Sequence, residues 1–163
     1  MSEQASPFFG IQRVYLKGTS LELPQGAQVF LEQNPPQMEL NLTIGNTLLS
    51  EGVYEVVLRG TLTCKVSDKT QFLLEVDQAG IFEARDIPEG QLGPILEVTC
   101  PTILTPYLRA QISDSLARAT LSAFFLPEIN WLALYQQRIA EQQQALEKTA
   151  DNGGSARIPQ TVH

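Results

Sequence analysis

The chain has 163 residues, 43% of them hydrophobic and 18% charged, with a formal net charge of -7. One domain of this size buries roughly two-thirds of its unfolded surface. The excess of acid excludes a nucleic-acid partner, which needs clustered Lys and Arg, and favours a basic protein segment as the charged partner.

In chain order, residues 1–10 read as a flexible N-terminus, 11–147 as one folded domain and 148–163 as a disordered tail. Residues 11–23 are β-branched, aromatic and apolar, which predicts a long strand with a bend or bulge at Gly18 and a stop at Pro24. Pro24, Gly26, Asn34, Pro35 and Pro36 make a long loop, and inside it sits an apolar patch, Val29, Phe30 and Leu31. Met38, Leu40, Leu42 and Ile44 then alternate with polar residues, and Gly45-Asn46 predicts a turn. Tyr54, Val56, Leu58, Leu62 and Cys64 alternate in the same way, and Ser67-Asp68-Lys69 turns into a strand over residues 70–82. Short connections favour an antiparallel meander. On the last strand Phe72, Leu74 and Val76 take one face, while Leu73 stands beside Glu75 and Asp77 on the other. An apolar residue among carboxylates on a solvent face reads either as a partner-docking patch or as an isolated exposed leucine.

Thr105-Pro106 predicts a helix start, N-cap followed by proline, and Leu104, Leu108, Ile112 and Leu116 recur at helical spacing. Pro127 breaks the chain and Asn130 predicts the N-cap of a second helix. Leu132, Tyr135, Ile139 and Leu146 share one face of that helix, widened by Trp131 and Leu134.

Catalytic machinery is not legible. The only histidine is the terminal His163, no glycine-rich phosphate loop occurs, and Glu75 with Asp77 would be solvated on an open sheet. No enzyme activity, cofactor or metal is expected. Cys64 and Cys100 are too few and too far apart for a zinc or disulfide framework and read as small buried hydrophobes in a reducing cytoplasm. No apolar run reaches the ~18 residues of a membrane helix, so no membrane insertion is expected. Two apolar regions remain outside the sheet: the loop patch, and the block from Phe124 and Phe125 through Trp131, Leu134 and Tyr135. Either they pack as ordinary core, or Phe30, Phe124, Phe125, Trp131 and Tyr135 contribute to a groove for apolar peptide segments. Each large side chain buried there would yield roughly 1.5–3 kcal/mol.

Ile11-Gln12-Arg13-Val14-Tyr15, Tyr54-Glu55-Val56-Val57-Leu58, Ala79-Gly80-Ile81-Phe82, Cys100-Pro101, Pro106-Tyr107 with Arg109, and Ile129-Asn130-Trp131 with Ala133-Leu134-Tyr135 together resemble the SecB family of protein-export chaperones. The likeness runs in order from about residue 11 to residue 135. It implies an α+β fold, a four-stranded antiparallel sheet with two C-terminal helices on one side. It also implies a cytoplasmic homotetramer, a dimer of dimers, that holds unfolded precursor proteins without ATP and delivers them to the SecA motor. Variants on the same architecture are a chaperone dedicated to a single client such as an antitoxin, and a non-catalytic oligomeric adaptor.

Position by position, the resemblance puts SecA binding on Glu22, Leu73 and Glu75, and an influence on assembly at Leu74, Val76 and Gln78. Client binding would fall between the loop of Val29, Phe30 and Leu31 and the second helix. Three departures stand out. An acidic position of the SecA surface is Gly18, a loop aromatic is Asn34, and the usual Gly-x-x-Pro after the first helix is Ala119-Thr120-Leu121-Ser122. The tail is also less acidic than is typical.

Overall fold

A computed structural model describes residues 5–152. The chain divides into two compact units, the first ending at Ile129 and the second beginning at Asn130. Residues 153–163 of the expected tail lie outside the described residues.

The first unit is built on four antiparallel strands: β1 (Phe8–Glu22), β2 (Gln37–Ser50), β3 (Val53–Val66) and β4 (Lys69–Arg85). Their order across the sheet is β1-β4-β3-β2. Three strands form the expected meander, but β1 lies beyond β4. The chain between β1 and β2 must therefore cross two intervening strands, a span of about 14 Å at ordinary strand spacing. That explains the length of this connection, which is tightened by a 3-10 turn over Gly26–Leu31.

The turn expected at Gly45-Asn46 is not there. Gly45 pairs with Val57 and Asn46 with Val56 inside a continuous ladder, and the hairpin closes at Gly52, where φ is +69°. A glycine can be tolerated on an edge strand, whereas a left-handed position favours one. β1 also starts earlier than expected, with Phe9 stacked on Phe82 at 5.8 Å between ring centroids.

Period-2 alternation sorts the sheet into two faces. Val56, Leu58, Leu62, Cys64, Phe72, Leu74, Val76 and Phe82 are all buried on one of them. Helix α1 (Cys100–Arg118) covers that face, packing on β3 and β4. Leu104, Leu108, Ile112 and Leu116, the expected stripe, are fully buried. The stripe continues backwards in steps of four through Cys100 and Leu96, both also buried. Accordingly the helical run begins not at Thr105 but at Leu92–Pro94, passes through a π-helical turn at Ile95–Thr99, and enters α1. Thr105 is a buried helix residue whose hydroxyl donates to the Pro101 carbonyl at 2.7 Å, and Pro106 is accommodated within the helix.

The second unit is helix α2 (Trp131–Asn152). Asn130 caps it as expected, its Oδ1 accepting the Ala133 N–H at 3.0 Å. The architecture is therefore α+β, a four-stranded antiparallel sheet with C-terminal helices. Among the described residues, no helix is long and apolar enough to cross a membrane.

Candidate functional site

The open face of the sheet carries three rows that follow from strand register. Glu22 pairs with Leu73, Leu73 with Thr63, and Thr63 with Glu39. The next row is Ser20, Glu75, Thr61 and Asn41, and the third is Gly18, Asp77, Arg59 and Thr43. Glu22, Leu73 and Glu75 thus share one surface, with the half-buried Leu73 beside Glu22 on β1 and Glu75 two residues along its own strand. Glu39 completes that row and was missed in the sequence, because only register reveals which residue of β2 stands opposite Thr63.

The acids on this face divide into two kinds. Arg59 holds Asp77 with two contacts, Nε to Oδ1 at 2.6 Å and Nη2 to Oδ2 at 2.8 Å, which keeps the Asp77 carboxyl below its usual range. Lys17 holds Glu55 at 2.7 Å and Tyr15 donates its hydroxyl to the same carboxylate, so Glu55 is lowered and the Tyr15 phenol is pushed up to about 12. A β-bulge between Leu16 and Gly18 turns Lys17 into this cluster, and Gln78 Nε2 donates to the Tyr15 carbonyl at 3.0 Å beside it. Among the described residues, Glu22, Glu39 and Glu75 form no ion pair.

Leu74 and Val76 are buried in the single chain, on the helix-covered face, at 0% and 1% exposure. Neither is a surface residue of the chain. The third residue of this group, Gln78, is buried as well and reaches the Tyr15 carbonyl beside the β1 bulge.

Exposed apolar side chains occur on the crossing loop, on the segment after α1 and on α2. A cleft of about 280 Å³ is lined by the crossing loop (Val29, Phe30, Glu32, Asn34, Pro36), the strands (Met38, Cys64, Val66, Gln71, Phe72) and the segment after α1 (Thr120, Leu121, Ser122). Phe30 is 53% exposed and Leu31 70%. Leu31 faces a second, adjoining cleft with Gln25, Gln28, Lys69, and the shared Glu32 and Gln71. Phe125 is 72% exposed and Phe124 half-buried on the irregular segment that leads out of α1. Arg109 of α1 steadies that segment, its Nε donating to the Leu126 carbonyl at 3.1 Å. On α2, Leu134 is 48% exposed and Tyr135 half-buried beneath the Arg138 guanidinium at 5.7 Å. Trp131 departs from the expectation of an open wall: it is only 5% exposed, as befits the largest apolar side chain of the block.

The end of α1 shapes the cleft. Leu121 N–H donates to the Leu116 carbonyl at 3.0 Å and Thr120 N–H to the Ala117 carbonyl at 3.1 Å, a Schellman closure with Thr120 at φ +55°. A threonine thus occupies the left-handed position where glycine is usual.

Cys64 and Cys100 are free and buried, and burial raises both thiols, Cys100 to about 12, which makes them poor nucleophiles. Among the described residues, no cluster of three His, Cys, Asp or Glu side chains could hold a metal ion.

The family described as Preprotein translocase subunit SecB matches residues 2–142. This chain belongs to the SecB family. The Protein-export protein SecB of Cupriavidus metallidurans is 50% identical over 152 residues, covering 93% of this chain and 87% of the relative. That of Burkholderia vietnamiensis is 52% identical over 148 residues, covering 90% and 93%. A solved SecB-like chaperone of Mycobacterium tuberculosis, in complex with an antitoxin peptide, superposes with a TM-score of 0.59 at 18% identity. It covers 74% of this chain and 90% of its own, a likeness of fold. Two of the three departures from the SecB pattern, Asn34 and the Thr120–Leu121–Ser122 segment, line the cleft itself.

Proposed function

We propose that this SecB-family protein is an ATP-independent chaperone for protein export, which holds unfolded precursor proteins and passes them to the SecA motor. The observation that carries the reading is the cleft beneath Phe30, with Leu31 exposed on the same crossing loop. Unfolded segments offer apolar side chains to such a surface, and folded proteins do not. Each contact is modest, so holding is reversible and its strength accumulates along a wrapped chain.

SecA would dock on the open face. Glu22, Glu75 and Glu39 present unpaired charge around the half-buried Leu73, a pattern complementary to a basic segment with an apolar anchor. Assembly as a homotetramer is supported by two unpaired sheet edges, β1 and β2, with Phe8, Ile11 and Leu16 exposed along β1, and by Tyr107 exposed on α1. A solution mass near four times 18.0 kDa is the expectation.

Purified protein should suppress aggregation of a diluted, denatured precursor without nucleotide. Failure to do so would overturn the reading. Proteins recovered with the chaperone from cells separate export from a dedicated partnership: many precursors in the first case, one antitoxin-like client in the second.

A further inference from the structure

Gln71 is an anomaly in the cleft. It is a polar residue only 4% exposed, buried beside Phe72, and it lines both adjoining clefts. Strict alternation would have pointed it to the open face. A register shift prevents that: Cys64 pairs with Phe72 but Lys65 pairs with Thr70, so Gln71 is the extra residue of a β-bulge. The bulge buries Gln71 and Phe72 side by side, and bulges commonly re-aim a side chain next to a site.

Its amide orientation follows from chemistry. Nε2 donates to the Lys69 carbonyl at 3.2 Å, and a carbonyl can only accept, so the NH2 end is committed there. Oε1 has no donor among the described residues, yet no buried polar side-chain atom is stranded. The oxygen is therefore reached through the cleft. The residue is buried while its amide oxygen stays open to the cleft, which makes it an acceptor free to take an N–H.

We infer that Gln71 is a positioning residue for client, its Oε1 accepting a main-chain N–H from an extended segment whose side chains lie against Phe30 and Met38. This rests on the reading of the cleft as the client site and adds a main-chain anchor to it. Every residue of an unfolded client except proline carries that N–H, so the anchor fixes register without selecting sequence.

The test uses an unstructured decapeptide containing Phe and Leu, together with ester analogues that replace one backbone N–H at a time. Affinities are measured for full-length wild type, Gln71→Leu and Phe30→Ala. At least one ester should lose about three- to tenfold in affinity for wild type and nothing for Gln71→Leu, the signature of a shared hydrogen bond. A purely structural role for Gln71 would lower all affinities without that coupling. If Phe30→Ala weakens the parent peptide but every ester loses equally in wild type and Gln71→Leu, the Gln71 inference is overturned alone. If Phe30→Ala leaves affinity unchanged, the cleft reading fails and takes this inference with it.

Discussion

Leu108 of α1 sits so close over Gly60 of β3 that a Cβ added to the glycine would lie 3.2 Å from both leucine methyl carbons. The missing side chain is what lets the helix stripe settle on the sheet. Gly60→Val should destabilise the protein by about 1–3 kcal/mol through overpacking. Leu108→Ala alone should cost about 2–5 kcal/mol through the cavity it leaves. Because the two changes are complementary in volume, the double variant should be more stable than the sum of the two losses predicts, as read from urea midpoints.

Thr120 carries a local strain that one substitution removes. A β-branched residue at φ +55° is disfavoured, and the Schellman bonds around it need only backbone atoms. Thr120→Gly should therefore raise stability by about 1 kcal/mol, after the greater freedom of glycine in the unfolded chain offsets part of the relief. Thermal unfolding of the two proteins measures it.

The Tyr15–Glu55–Lys17 cluster gives two pH limbs of opposite sign. Glu55 is lowered by Lys17 first and Tyr15 second, so its contribution is present above the ordinary carboxylate range and is lost as pH falls through its depressed value. Tyr15 is raised from 10.0 to about 12, so its contribution is complete below pH 10 and disappears as pH climbs towards 12. Tyr15→Phe should abolish the alkaline limb and cost about 1 kcal/mol at neutral pH. Stability against pH, for wild type and variant, is the measurement.

On the open face, Gly18 leaves room for the acid it lacks: a Cβ there would stand 3.9 Å from Asp77 Oδ2 and meet nothing closer. Gly18→Asp should strengthen binding of a basic SecA segment several-fold, and Glu75→Lys should weaken it. Both effects should shrink as salt rises, since exposed charges are screened. Holding of unfolded client should be unchanged in either variant.

Much of this architecture was legible because burial imposes a period. The alternation on β3 and the stripe from Leu104 to Leu116 both mark faces that are buried in the fold. What failed was local. Gly45-Asn46 has turn chemistry, but the competing Gly52 occupies the left-handed position the hairpin requires. Pro106 looked like a helix start, although Leu96 and Cys100 already continue the buried stripe upstream of it. Glu39 and Gln71 were invisible for a different reason: one acquires its neighbours through register, the other its orientation through a bulge. Neither property exists before the strands pair.

The account rests on exposed apolar groups of the crossing loop gripping nonnative chains. Titration calorimetry of a reduced, unfolded precursor into wild type and into the double variant Phe30→Ser, Leu31→Ser tests it most directly. The loss of two side chains worth roughly 1.5–3 kcal/mol each on full burial should weaken binding by tenfold or more, with both proteins equally folded. Equal affinity for the two would contradict the account.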